Sequence, residues 1–143
     1  MCIKPRFTPG ARASATDTPQ AAAPHGQRIL LVEDHADTLK VLARLLRADG
    51  HHVVTACCLQ EALRAGRKRK FDLLIADIGL PDGSGNDLMV ALRKKHALRG
   101  IALSGYGMEA DVSGCHRAGF AVHATKPVAL ARLRSLIVQV LEG

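Results

Sequence analysis

Tryptophan is missing from this 143-residue chain, and aromatic side chains make up only 3% of it. RNA-binding platforms and lectin-like sites stack their ligands on aromatic rings, so this scarcity argues against both. Long apolar runs are missing too. No stretch approaches the ~20 residues of a membrane span. The longest apolar core near the N-terminus, Ala21–Ala23, falls far short of the roughly 7–15 residues of a secretory signal. The cysteines, Cys2, Cys57, Cys58 and Cys115, contain no C-x-x-C pair, and the adjacent Cys57 and Cys58 lack zinc-finger spacing. Reduced thiols in a cytoplasmic protein are the expectation. What is present is an ordinary globular composition, 48% apolar and 23% charged, with a net charge of +7 and a pI near 9.7. The length fits one domain. The positive balance raises nucleic acid or an acidic partner as a question.

The charge is unevenly placed. Residues 1–28 hold four basic side chains against one acidic, a balance of +3. The other sixteen basic and twelve acidic residues leave +4 on 29–143. The run from Arg12 to Gly26 is small, polar and proline-bearing, without strand or helix periodicity. Residues 1–27 therefore read as a disordered tail or linker. Residues 28–143 read as one domain. Its short apolar runs, Ile29–Val32, His52–Thr55, Leu73–Ala76, Gly100–Leu103 and Phe120–Ala124, suit strands, mostly buried on both faces. Helical patterns lie between and after them. Ala36–Ala48 places Leu39, Leu42, Leu45 and Leu46 on one face and stops at Gly50. Leu59–Gly66 is brief and ends in the basic run Arg67–Lys70. Ser84–Asp87 resembles a capping box, opening a helix with Leu88, Met89 and Leu92 inward. Met108–Arg117 is a weak helix, interrupted by Ser113 and Gly114, and Ala129–Leu141 buries Leu130, Leu133, Ile137 and Val140. Five strands alternating with five helices imply an α/β, doubly wound parallel sheet covered on both faces.

In such sheets the ligand site lies beyond the carboxyl ends of the strands. Glu33 and Asp34 follow the first strand, Asp77 the third, Ser104 the fourth, and Lys126 and Pro127 the fifth. Three carboxylates brought together repel one another unless a cation neutralises them. All-oxygen ligands with few protein contacts suit Mg²⁺, which keeps several waters and shares itself with a phosphate. A carboxylate beside it can attack phosphorus, while Lys126 and the Ser104 hydroxyl supply positive charge and a donor to the moving phosphoryl group.

At these residues the chain resembles the receiver domain of two-component response regulators. The motifs are Ile29-Leu-Leu-Val-Glu-Asp34, Phe71-Asp-Leu-Leu-Ile-Ala-Asp-Ile-Gly-Leu-Pro-Asp-Gly83, Ile101-Ala-Leu-Ser-Gly105 and Ala124-Thr-Lys-Pro127. They occur in the family's order, from Arg28 to about Leu141. The resemblance implies a flavodoxin-like fold with strand order 2-1-3-4-5. It implies Asp77 as phospho-acceptor, Glu33 and Asp34 as the acidic Mg²⁺ pair with Asp77 and the Gly79 carbonyl, and Lys126 as the phosphate-pairing lysine. It also implies a cis bond between Lys126 and Pro127, and Ser104 as the switch hydroxyl. Where the family usually has Tyr or Phe, three residues before the lysine, this chain has His123. Tyr106, two residues after Ser104, is then a second candidate for the mobile side chain. The implied partner is a histidine kinase or a histidine phosphotransfer protein, whose phosphohistidine supplies Asp77. The fourth helix, fifth strand and fifth helix form a candidate homodimer face.

This reading makes the chain a phosphorelay switch that catalyses only its own phosphorylation and dephosphorylation. It fits either the receiver of a hybrid sensor histidine kinase or a stand-alone response regulator. An aspartyl-phosphate phosphatase is the alternative, although such enzymes usually carry Asp-x-Asp where this chain has Glu33-Asp34-His35. The remaining features have plainer readings. Arg67–Lys70 and Arg93–His96 end helices, where cations favour the dipole, so direct nucleic-acid binding is not expected. His123 reads as half-buried structure ahead of a pH sensor. Cys57 and Cys58 read as core or near-surface thiols.

Overall fold

The computed structural model describes residues 26–105 and 112–142. The expected tail through His25, Tyr106 and the first part of the weak fourth helix lie outside the described residues. Five strands form one parallel sheet: β1 Arg28–Val32, β2 His52–Ala56, β3 Leu73–Asp77, β4 Arg99–Ser104 and β5 Val122–Thr125. Their spatial order is β2-β1-β3-β4-β5. Five helices connect and close them: α1 Ala36–Ala48, α2 Leu59–Lys68, α3 Gly85–Arg93, α4 Val112–Ala118 and α5 Leu130–Glu142. A two-residue ladder of Gly79–Leu80 with Gly83–Ser84 folds the loop after β3.

Side-chain alternation along the strands builds two cores. Ile29 and Leu31 of β1, with Leu73 and Ile75 of β3, pack under α1 and α5 through Leu46, Leu133 and Ile137. The intervening Leu30, Val32, Leu74 and Ala76 pack on the other face against α2, α3 and α4. Both faces are therefore dry, which is why these strands are near-continuous apolar runs. Gly50 ends α1 at φ 97°, in backbone space that side chains rarely enter. Its N–H donates to the Arg47 carbonyl at 3.0 Å.

The structure departs from the sequence reading in several places. Ser113 and Gly114 do not interrupt α4 but lie inside it, because Cys115 and Ala118 bury against the sheet and packing outweighs their weak propensity. Phe120 is not a strand residue. Gly119 turns at φ 118°, and the N–H groups of Gly119 and Phe120 both donate to the Cys115 carbonyl, so they finish α4. The helix α2 continues past Gly66 through Arg67 and Lys68.

Candidate functional site

Parallel register delivers the site. Val32 at the end of β1 lies opposite Ala76 of β3, so the residues that follow, Glu33 and Asp77, reach the same rim. Both carboxyls are buried, Glu33 completely and Asp77 to 4% exposure. Lys126 follows β5, two strands from β3, and extends back across the rim. Its Nζ donates to Asp77 Oδ2 at 2.8 Å and to Glu33 Oε1 and Oε2 at 2.9 and 3.2 Å. The backbone holds it in place: the Lys126 N–H donates to the Ser104 carbonyl at 2.7 Å, and the bond to Pro127 is cis.

These contacts set the charge states. Burial alone pushes the Glu33 carboxyl up, but hydrogen bonds from Lys126 and His35 outweigh it and hold the group below its ordinary range. Burial likewise pushes Lys126 down, and the bonds to Asp77 and Glu33 more than reverse it, so the lysine stays an ammonium. Asp34 adds a third, more exposed carboxylate. Among the described residues, three acids meet one ammonium at this rim.

The rim opens into a cleft of about 610 Å³, lined by Glu33, Asp34, His35, Asp77, Gly79 and Lys126 among others. The Gly79 N–H donates to Asp77 Oδ1 at 3.0 Å, so the two oxygens of this carboxylate meet different donors, Gly79 on one and Lys126 on the other. The carboxylates of Glu33, Asp34 and Asp77 are hard oxygen donors, and such a set fits a small divalent cation such as Mg²⁺.

Of the residues singled out from sequence, Glu33, Asp34, Asp77, Gly79 and Lys126 meet in this cleft. Ser104 and His123 meet each other instead. The Ser104 Oγ is hydrogen-bonded to His123 Nε2 at 2.8 Å, and neither residue lines the cleft. Two residues were missed. His35 donates its backbone N–H to Glu33 Oε2 at 3.1 Å and places Nδ1 3.1 Å from the same oxygen. Its place directly after the acidic pair was the available signal. Gly85, the first residue of α3, is the other. A Cβ there would stand 2.5 Å from the Asp77 carbonyl oxygen, so only glycine lets α3 seat against the end of β3. Nothing in its neighbourhood in sequence announces this.

Known proteins resemble the chain along most of its length. Residues 29–138 match the model of the response regulator receiver domain. Over 107 residues the chain is 36% identical to the KDP operon transcriptional regulatory protein KdpE of Escherichia coli K12, covering 75% of this chain and 48% of that protein. It thus spans about half the length of that relative. The CheY-like receiver domain protein of Methanospirillum hungatei JF-1 superposes with a TM-score of 0.76 at 28% identity, over 82% of this chain and 94% of that one. A response regulator protein from Burkholderia pseudomallei, solved with a phosphorylated aspartic acid, a calcium ion and citrate, gives a TM-score of 0.72 at 25% identity, covering 78% and 66% of the two chains. The sheet order, the acidic rim at its carboxyl edge and a family match running from β1 into α5 converge: this chain belongs to the response regulator receiver domain family.

Proposed function

We propose that the chain accepts a phosphoryl group on Asp77 from the phosphohistidine of a histidine kinase or a histidine phosphotransfer protein. The observation that carries this reading is the Lys126 ammonium, 2.8 Å from Asp77 and 2.9 Å from Glu33. It places a cation within hydrogen-bond reach of the proposed nucleophile, where it can stabilise the charge of the phosphoryl group in transfer. An Asp77 oxygen forms the new bond to phosphorus while the donor's P–N bond breaks, and the imidazole nitrogen leaves with the electron pair. The acyl phosphate adds a charge of roughly −1.5 to −2. Lys126 then turns from the carboxylate to the phosphoryl oxygens, a charge-assisted bond of the strong class. Glu33, Asp34 and Asp77, with the Gly79 carbonyl, would hold Mg²⁺, which when bound offsets the charge of the carboxylates and the phosphoryl group.

The Ser104–His123 bond supports a switch reading. In this reading the Ser104 hydroxyl turns from His123 to the phosphoryl group, so acceptor chemistry on β3 is coupled to a hydrogen bond between β4 and β5. The family match lends the phosphatase alternative no support. The Burkholderia pseudomallei regulator was solved with a phosphorylated aspartic acid and a calcium ion, which supports reading this rim as a site for phosphate and a divalent cation. On this reading the chain works in the cytoplasm, either inside a hybrid histidine kinase or as a separate regulator.

The test is phosphate uptake. With acetyl phosphate or a labelled phosphohistidine donor and Mg²⁺, the parent chain should gain one acid-stable, base-labile phosphate. Asp77→Asn should gain none, and label retained by that variant would place the acceptor elsewhere.

A further inference from the structure

Away from the acidic cleft, the turn from β2 into α2 gathers a different set of donors. Cys57, Cys58 and Glu61 each present one ligand atom, and the three atoms lie within 4.8 Å of one another. Residues adjacent in an extended strand point to opposite sides. Here the chain bends at Cys57 and Cys58, so both thiols reach one side, and Glu61 comes round from the first turn of α2. Neither cysteine is in a disulfide. The capping work at this helix end is done by other groups. Asp82, from the loop after β3, accepts the N–H groups of Leu59 and Gln60 at 2.7 and 3.0 Å, and Cys58 makes no capping bond to the helix amides although it occupies the N-cap position. Glu61 Oε1 accepts the Cys57 N–H at 2.9 Å, which fixes that carboxylate beside the sulfurs.

We propose that Cys57, Cys58 and Glu61 form a binding site for one thiophilic divalent cation, Zn²⁺ being the ion this donor set suits. Two thiolates and a carboxylate are borderline-soft ligands of the kind zinc takes, and they differ in class from the all-oxygen cleft. Bonds of about 2.0–2.3 Å bring tetrahedral donors to roughly 3.3–3.8 Å from one another. Cys57 and Glu61 are exposed and Cys58 half-buried, so side-chain rotation can close the remaining gap. The exposure also leaves the fourth position to solvent. Binding would require both thiols to lose their protons, so the affinity should rise with pH. The site stands apart from the phospho-acceptor reading and does not depend on it.

The experiment uses the full-length, fully reduced chain under argon with excess Mg²⁺, titrated with Co²⁺ and then Zn²⁺. Thiolate-to-cobalt charge-transfer absorption reports sulfur ligation alone, so oxygen ligation in the acidic cleft cannot imitate it. The expected result is a band that saturates at one equivalent of Co²⁺ and is abolished by Zn²⁺. Cys57→Ser and Cys58→Ser should each lose the two-thiolate band, while Glu61→Gln keeps it and binds about tenfold more weakly. Cys2→Ser and Cys115→Ser should leave the titration unchanged, and circular dichroism checks that the variants fold. No band at stoichiometric Co²⁺ overturns the proposal. So does a band that survives Cys57→Ser or Cys58→Ser unaltered, or one that requires Cys115.

Discussion

At the scale of single residues, Ser104 and His123 form the contact on which the proposed switch would turn. Ser104 is 1% exposed and hydrogen-bonded to His123 Nε2 at 2.8 Å. A neutral intramolecular hydrogen bond is worth about 0.5–1.5 kcal/mol net. In the proposed switch the Ser104 hydroxyl gives it up on turning to phospho-Asp77, so the bond would favour the unphosphorylated arrangement by about that much. His123→Phe should remove this preference and lower the acetyl phosphate concentration for half-phosphorylation by about two- to tenfold. An unchanged or higher half-point would sink the competition. Ser104, Asp77, Glu33, Asp34 and Lys126 were legible in sequence because each stands at the end of an apolar strand run, and chain order alone puts strand ends on one rim. The Ser104–His123 pair was not. Ser104 lies opposite Thr125, and His123, two residues back on β5, is its diagonal neighbour on the same face. That pairing exists only once register is known.

At the scale of elements, the seat of α3 decides how firmly Asp77 is held. The Gly85 N–H donates to the Ile78 carbonyl at 2.9 Å, and Ser84 caps the helix by accepting the Asn86 N–H at 3.0 Å. Alanine in a helix ordinarily gains about 1 kcal/mol over glycine. At Gly85 the added Cβ would meet the Asp77 carbonyl at 2.5 Å, and the obstacle is backbone. Overpacking of this kind costs about 1–3 kcal/mol, so the clash should win. Gly85→Ala is expected to lower the denaturant midpoint and to slow phosphorylation in the same variant. A variant as stable as the parent would show that α3 retreats without strain. The element sequence itself was readable because the strand runs are short, apolar and separated by amphipathic helices. The misread boundaries have a common cause. Ser113, Gly114 and Phe120 were judged by local propensity, whereas the burial of Cys115 and the turn at Gly119 decide where α4 runs and stops.

At the scale of the whole molecule, the charges of the described residues show a polarity along the sheet. The acids of Glu33, Asp34 and Asp77 occupy the carboxyl rim, and α2 and α3 carry their basic runs, Arg67–Lys70 and Arg93–Lys95, toward the opposite end. Those runs are neighbours there, since His96 Nε2 is hydrogen-bonded to the Gly66 carbonyl at 2.9 Å. Each cation also favours its helix's C-terminal dipole. The same end holds an ion pair between strands that are neighbours in the sheet. Asp72, just before β3, accepts the Arg28 N–H at 2.9 Å and the guanidinium at 3.2 and 3.0 Å. The bond from the Arg28 side chain holds the Asp72 carboxyl below its ordinary value of 3.8, against a smaller upward push from burial. A depressed carboxylate contributes its stability above its unfolded value and loses it as pH falls through the folded one. The pair is partly exposed, 52% and 33% for the two side chains, so solvent screening limits the contribution of Asp72 to at most about 1 kcal/mol. Asp72→Asn should therefore unfold at lower urea than the parent at pH 7. The difference should hold down to about pH 4 and shrink below the ordinary value of 3.8 as the parent's own carboxylate takes up its proton. A difference that stays constant into strong acid would mean that Asp72 acts at this corner through its shape and backbone bond, with its charge contributing nothing.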